Sequence, residues 1–217
     1  MLAFSIVMKI ARVVIHIFLV LTLVQTVAAA SYRIRVVEVK PVESYPARVT
    51  IDGVTIAVNP YTTDAESATA FDIKNLNSRG FFPVHIIIKN ETSVFLRVHT
   101  RNVLLFTPDG EQLYSTPAAV VVDNVARSGL TRREPTKSDE AEVLKAGSPL
   151  MDFSTKELVS ASIDPGATVD GFLFFFSDNR KKNLLAGSSL YIPRVEEEGT
   201  RKPVGPFTLR LDQALIK

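Results

Sequence analysis

Apolar side chains recur at every second position through most of residues 32–217, and short turn pairs interrupt them. That period is the pleat of a β-strand, so the chain reads as all-β. Near the C-terminus "GPFTLRLDQ" puts Phe207, Leu209 and Leu211 on one face and Thr208, Arg210 and Asp212 on the other. "YRIRVV" sets Tyr32, Ile34 and Val36 against Arg33 and Arg35. "RVTIDGVTIAV" holds two β-branched runs around Asp52-Gly53, the residue pair of a type I′ hairpin turn. "FPVHIIIKN" (82–90) and "FLRVHTRNVLLF" (95–106) are two further strand segments joined by the polar "NETS". Pro108-Asp109-Gly110 is another turn, leading into "AAVVVD".

Residues 163–176, "IDPGATVDGFLFFF", carry a different pattern. After the Pro165-Gly166 turn comes an unbroken apolar run of five, Phe172 to Phe176. Five residues are far too few to span a bilayer as a helix. A short continuous run bounded by turns suits a strand buried on both faces. Phe172, Phe174 and Phe176 then point one way, Leu173 and Phe175 the other. One set faces the core. The other needs its own cover: an edge loop, an N-terminal hairpin or a partner.

Helix is scarce. Residues 63–71, "TDAESATAF", form a turn or two. Residues 138–147 have Ser138 as N-cap, acids in the first turns and Gly147 as a stop. The second piece lies in a long polar stretch, 124–148, which reads as a surface flap or functional insertion. The expected architecture is an Ig-like β-sandwich of two mainly antiparallel sheets with one or two short helices. Varied strand lengths and one long connection favour a sandwich over a barrel. The chain has neither Cys nor Trp, so it lacks the antibody-type Cys–Trp–Cys core.

Residues 1–30 read as an address. Lys9 and Arg12 are a basic n-region, residues 13–24 are apolar, and Ala28, Ala29 and Ala30 offer a small-residue cleavage site. Two outcomes are open: cleavage after Ala30, or retention of residues 13–30 as a membrane anchor, whose eighteen positions would span about 27 Å as a helix. Both put residues 31–217 outside the cytoplasm, in the periplasm or cell envelope. Setting residues 1–30 aside leaves 23 Lys+Arg against 23 Asp+Glu. A neutral body has no general pull on nucleic acid. The absence of Cys excludes disulfides, thiolate metal sites, a Cys nucleophile and a lipidated Cys.

No catalytic motif stands out. Gly166 and Gly171 have phosphate-loop spacing, but Phe-Leu follows where Lys-Ser/Thr is needed, and the context is turn-to-strand. His85 shares a strand face with Ile87 and Lys89, and His99 shares one with Arg97 and Arg101. If those strands form a hairpin, the imidazoles approach each other. A metal there would need a further ligand such as a carboxylate, and Arg97 and Arg101 would repel it. A Ser-His-Asp triad lacks a nucleophile elbow. We assign no catalytic, cofactor-binding or metal-binding residues. Asn90-Glu91-Thr92 matches a glycosylation sequon, and residues 195–205 read as an exposed hairpin loop.

Two segments carry a family likeness. "FDIKNLNSRGFFPVHIIIKNETSVFLRV" (71–98) has a Gly-aromatic-x-Pro-Val entry into a strand that ends in Lys-Asn. "KELVSASIDPGATVDGFLFF" (156–175) runs from a Pro-Gly turn into a Gly-Phe-Leu-Phe-Phe strand. Over about a quarter of the chain it resembles the uncharacterised bacterial exported β-sandwich proteins, many of them lipoproteins, and more loosely the telokin-like, Ig-like surface domains. The resemblance implies a sandwich fold and an envelope location, and it brings no catalytic residues. In it, Pro83 opens a strand, Asn90 takes the following turn, and Gly171 permits a bulge or close backbone approach. The expected function is a non-enzymatic interaction or structural module of the cell envelope, with no cofactor. Its partner is another envelope protein, met through an edge strand or the flap. The alternative is a periplasmic small-ligand or metal-binding module using His85 and His99.

Overall fold

The structure is a computed structural model and describes residues 32–127, 148–178 and 184–215. The expected signal or anchor, most of the 124–148 flap and its helix at 138–147 lie outside the described residues. Residues Tyr32–Lys217 make one compact unit. Among the described residues, no helix is long and apolar enough to cross a membrane.

The described residues contain twelve strands and three α-helices. In chain order the strands are β1 (Arg48–Ile51), β2 (Val54–Pro60), β3 (Phe81–Asn90), β4 (Leu96–Val98), β5 (Leu104–Phe106) and β6 (Gln112–Thr116). Then come β7 (Ser162–Ile163), β8 (Thr168–Phe176), β9 (Ser189–Ile192), β10 (Val195–Glu197), β11 (Pro203–Val204) and β12 (Phe207–Arg210). The helices are α1 (Asp64–Ala70), α2 (Ala118–Arg127) and α3 (Pro149–Lys156). One sheet has eight strands in the order β1-β2-β3-β8-β6-β5-β9-β12, and the other has four, β11-β10-β4-β7. Every strand pair is antiparallel. The fold is therefore mostly β with two antiparallel sheets. The large sheet curls until its two outer strands, β1 and β12, approach each other, which makes it nearly barrel-like.

Turn chemistry sets the registers. Asp52 and Gly53 both have positive φ, 47° and 76°, and they close the β1–β2 hairpin with Ile51 opposite Val54. The Pro165-Gly166 turn likewise delivers the chain into β8. β3 and β8 pair along nearly their whole length, from Phe81 opposite Phe176 to Lys89 opposite Thr168. β3 starts two residues before Pro83, so Pro83 sits inside a central strand. It is tolerated because β2 ends beside it. Tyr61 donates its N–H to the Pro83 carbonyl. The Tyr61 carbonyl, which an ordinary residue at 83 would satisfy, accepts the Asn77 side-chain amide at 2.8 Å instead.

The central strands are covered on both faces. Phe82, Val84, Ile86, Ile88, Leu173 and Phe175 face the main core, which Leu96, Val98, Ile163, Val195 and Val204 of the small sheet also line. Phe81, Phe172 and Phe174 face a second cluster built from helices, with Ala70 and Phe71 from the end of α1, Val121 and Val122 from α2, and Phe153 from α3. Phe71 and Phe153 stack with ring centroids 4.1 Å apart, and Phe153 lies 5.3 Å from Phe174. The cover of the Phe strand is thus intramolecular and helical. Each fully buried Phe contributes on the order of 2 kcal/mol by leaving water. Phe176, at the strand end, is 39% exposed and leans on Phe81.

Three sequence expectations change. There are three helices among the described residues where one or two were expected. The 63–71 piece is α1, capped by Thr63, which accepts the Glu66 N–H, while the Glu66 carboxylate accepts the Thr62 N–H. α2 takes up "AAVVVDNV", so the flap's first residues, from Asn124, belong to a helix. α3 follows Ser148, whose hydroxyl accepts the Met151 N–H, with Pro149 in the first turn. "FLRVHTRNVLLF" breaks into β4, a 3-10 turn at Thr100–Asn102 and β5. "YRIRVV" joins no strand. Its alternation fits any extended chain, and Ile34 and Val36 find no apolar surface to cover them.

Candidate functional site

The N-terminal arm, residues 32–41, is extended but belongs to neither sheet. It is held at both ends. The Tyr32 hydroxyl donates to Asp152 Oδ2 at 2.5 Å and accepts the Asp72 N–H at 3.3 Å. Arg33 N–H and the Arg35 guanidinium both donate to the Asp72 carboxylate, at 2.9 and 2.7 Å. At the far end the Lys40 N–H donates to the Tyr45 hydroxyl at 3.1 Å.

The mooring at Tyr32 is a small buried network. Asp152 projects inward from α3 and is 1% exposed. Lys156, one turn later on the same helix, sits 2.7 Å from Asp152 Oδ1, donates to the Ala70 carbonyl and lies over the Phe71 ring. The carboxylate is therefore held between an ammonium and a phenol. Burial, then the hydrogen bond to Asp152, push the Tyr32 phenol well above its ordinary range. The hydrogen bond from Arg35, then the Arg33 N–H, hold the Asp72 carboxyl below its ordinary range.

Between these moorings the arm is open. Ile34 is 53% and Val36 92% exposed, and Val39 is exposed as well. Val37 alone turns inward, half-buried against the helical cluster. From Ile34 to Val39 no backbone group makes a hydrogen bond among the described residues. Six extended residues span about 20 Å, so the arm presents a ready-made strand with unused donors and acceptors and a β-branched surface.

The two histidines are not brought together. β3 pairs with β2 and β8, whereas β4 pairs with β10 and β7, so the hairpin that would join them does not form. His85 is 1% exposed, stacks on Phe172 at 4.6 Å and puts Nε2 2.7 Å from Asp170 Oδ2. His99 follows β4, with Nε2 2.8 Å from Glu196 Oε1. Among the described residues, no group of three or more His, Cys, Asp or Glu side chains is arranged to hold a metal.

The basic stripe of Arg97, His99 and Arg101 is largely neutralised. β10 lies beside β4, and Arg97 donates twice to Glu198, through Nε at 2.9 Å and Nη2 at 2.6 Å. The hydrogen bond from His99, aided by Arg194, holds the Glu196 carboxyl below its ordinary range. The "VEEEG" segment is thus the partner strand of the stripe, and Glu196 is buried within it. Residues 195–205 form a hairpin, β10 to β11, but not the exposed loop expected: Val195, Glu196 and Val204 are buried.

Asn90 proves structural. Its buried side-chain amide donates to the carbonyls of Val94, Ile163 and Asp164, and its oxygen accepts from Thr92. The sequon asparagine is thus a clasp between the end of β3 and β7. Gly171 makes the close approach expected of it: a Cβ there would lie 2.8 Å from the Leu158 backbone.

Sequence reasoning missed the Tyr32–Asp152–Lys156 mooring. A signal was present in "SPLMDFSTK", where Ser-Pro is a helix start and Asp152 stands next to Phe153 on the buried side.

No protein-family model matches the chain, and no curated protein matches it. Solved structures similar to it include the YjhA protein of Bacillus subtilis, at 8% identity and a TM-score of 0.36, covering 67% of this chain and 76% of that one. A putative lipoprotein of Bacillus subtilis, YcdA, matches at 16% identity and a TM-score of 0.38 over 75% of this chain and 38% of its own. A functionally unknown protein of Listeria monocytogenes matches at 14% identity and a TM-score of 0.34, over 74% and 80%. Likeness this loose assigns the chain neither a family nor an activity.

Proposed function

We propose that this protein is a non-enzymatic, Ig-like interaction module of the bacterial cell envelope, and that the arm at 32–41 is its contact element. The open stretch Ile34 to Val39 carries the reading: unpaired backbone, outward β-branched side chains, and tethers at both ends. Strand addition uses such a segment directly, because main-chain hydrogen bonds supply affinity and alternate side chains supply selectivity. The tethers hold the segment extended in advance, which reduces the entropy lost on binding. The partner is an envelope protein with a free sheet edge. Export rests on the signal-like residues 1–30, and the neutral net charge of the body agrees with a protein rather than a nucleic-acid partner.

Photo-crosslinking from position 36 in cells of the source organism tests this. A discrete adduct with an envelope protein is expected, and Val37→Pro, which removes a backbone donor, should abolish it. Adducts from position 36 that match those from an exposed control such as Val159 would overturn the contact. A tagged copy confined to the cytosolic fraction would overturn the location.

A further inference from the structure

The outer face of the large sheet is covered over β3 and β8 by the helices. Over β6, β5, β9 and β12 it carries a two-row pattern fixed by register. In one row Tyr114 lies opposite Leu104, Leu104 opposite Tyr191, and Tyr191 opposite Thr208. In the other, Gln112 lies opposite Phe106, Phe106 opposite Ser189, and Ser189 opposite Arg210. Tyr114 is 64% exposed, and Leu104, Phe106 and Tyr191 are half-buried. Phe106 and Tyr191 meet edge to face at 6.1 Å. Three aromatic rings thus surround one leucine, with an amide, two hydroxyls and a guanidinium along the edge.

We propose that this face is a binding platform for a polysaccharide chain of neutral pyranose rings. Four strands about 4.8 Å apart make a row about 14 Å long, and two positions along a strand add about 7 Å. That is the footprint of two or three sugar rings lying flat. It is far below the roughly 800 Å² per partner of a stable protein interface, which argues against a second copy or a folded protein as occupant. The chemistry of the face is divided as that of a sugar is. Aromatic faces take the C–H side of a pyranose ring, and the side chains of Gln112, Ser189 and Thr208 make no hydrogen bond among the described residues, so they are free to meet hydroxyls. The one charge, Arg210, is already neutralised by Asp212 through Nε and Nη2, so an anionic polymer gains no pull here. The face is the open outer side of a curled sheet rather than an enclosed cavity, which suits an extended polymer rather than an enclosed small molecule. None of the platform's residues belongs to the N-terminal arm, and the platform does not rest on the arm's proposed role.

Calorimetric titration of the full chain, kept in mild detergent, with chitohexaose and cellohexaose as probes decides the matter. Saturable binding of at least one is expected, weakened about tenfold in Tyr114→Ala with Tyr191→Ala, a loss matching the aromatic contacts removed. Phe95→Ala, an exposed ring elsewhere, should bind as the wild type does, and Tyr114→Phe should keep most of the affinity. If the double variant melts lower than the wild type, Tyr114→Ala alone must still weaken binding about threefold. Failure of both sugars to saturate, or equal binding by the tyrosine variants, overturns the proposal. So does sedimentation showing a dimer that the same variants dissociate.

Discussion

At the scale of single residues, Gly171 shows how one position is fixed by a neighbour's backbone. The Leu158 N–H donates to the Phe172 carbonyl, and Glu157 bridges Phe172 in parallel. The chain after α3 therefore lies directly against β8, and a Cβ at 171 would meet main-chain atoms that cannot rotate away. Gly171→Ala should cost about 1–3 kcal/mol, as overpacking does, and lower the melting temperature by several degrees in a domain of this size. A variant that melts with the wild type would remove the close approach as a constraint. Sequence reasoning reached Gly171 because a glycine beside a bulky strand has few other uses. It did not reach Asp152, because an acid four residues before a lysine on a helix is read as a solvent-facing pair, and the partner that draws it inward, Tyr32, is 120 positions away.

At the scale of elements, the arm differs from every strand in having no neighbour to share its backbone. Its attachment depends on a phenol that must keep its proton. The folded state holds the Tyr32 proton more tightly than the unfolded chain, whose phenol titrates near pH 10. The stability this group contributes is therefore complete below about pH 10 and is lost as pH rises beyond it. Proteolysis near Arg33 and Arg35 should accelerate above that pH, well before the body unfolds. Tyr32→Phe should release the arm at every pH and flatten the profile. An arm equally protected at pH 8 and 11 would contradict the mooring. The same element marks the limit of pattern reading. Alternation in "YRIRVV" and in "TLRL" is indistinguishable by eye, yet only the second finds a partner strand, Ser189–Ile192. Hairpins closed by Asp-Gly were legible because their pairing is local. The order β8-β6 and β5-β9 was not, since it joins strands far apart in the chain.

At the scale of the whole molecule, two separate cores share the pair β3 and β8. The sequence pattern showed that both faces of the Phe strand needed cover, and the cover proved to be three helices, two of them unread. α2 was hidden because Val-rich "AAVVVD" favours strands on propensity alone, and tertiary packing overrode it. The main core closes last through β12, whose Phe207 and Leu209 are buried with Leu211 just beyond, and which approaches β1 across the seam of the large sheet. Ending the chain at residue 205 should thus leave a species without fixed tertiary structure, read as collapsed dispersion in its amide proton spectrum. A well-dispersed spectrum from that truncation would show that the seam is dispensable.

That seam has a meaning for how the protein is made. The strand that meets β1 is among the last of the described segments to leave the ribosome. Until it docks, the curled sheet is open along that seam and its apolar lining is exposed. Lining exposed in this way is prone to aggregate before folding is complete, so a chain lacking β12 is expected to be cleared rather than to persist as a working fragment.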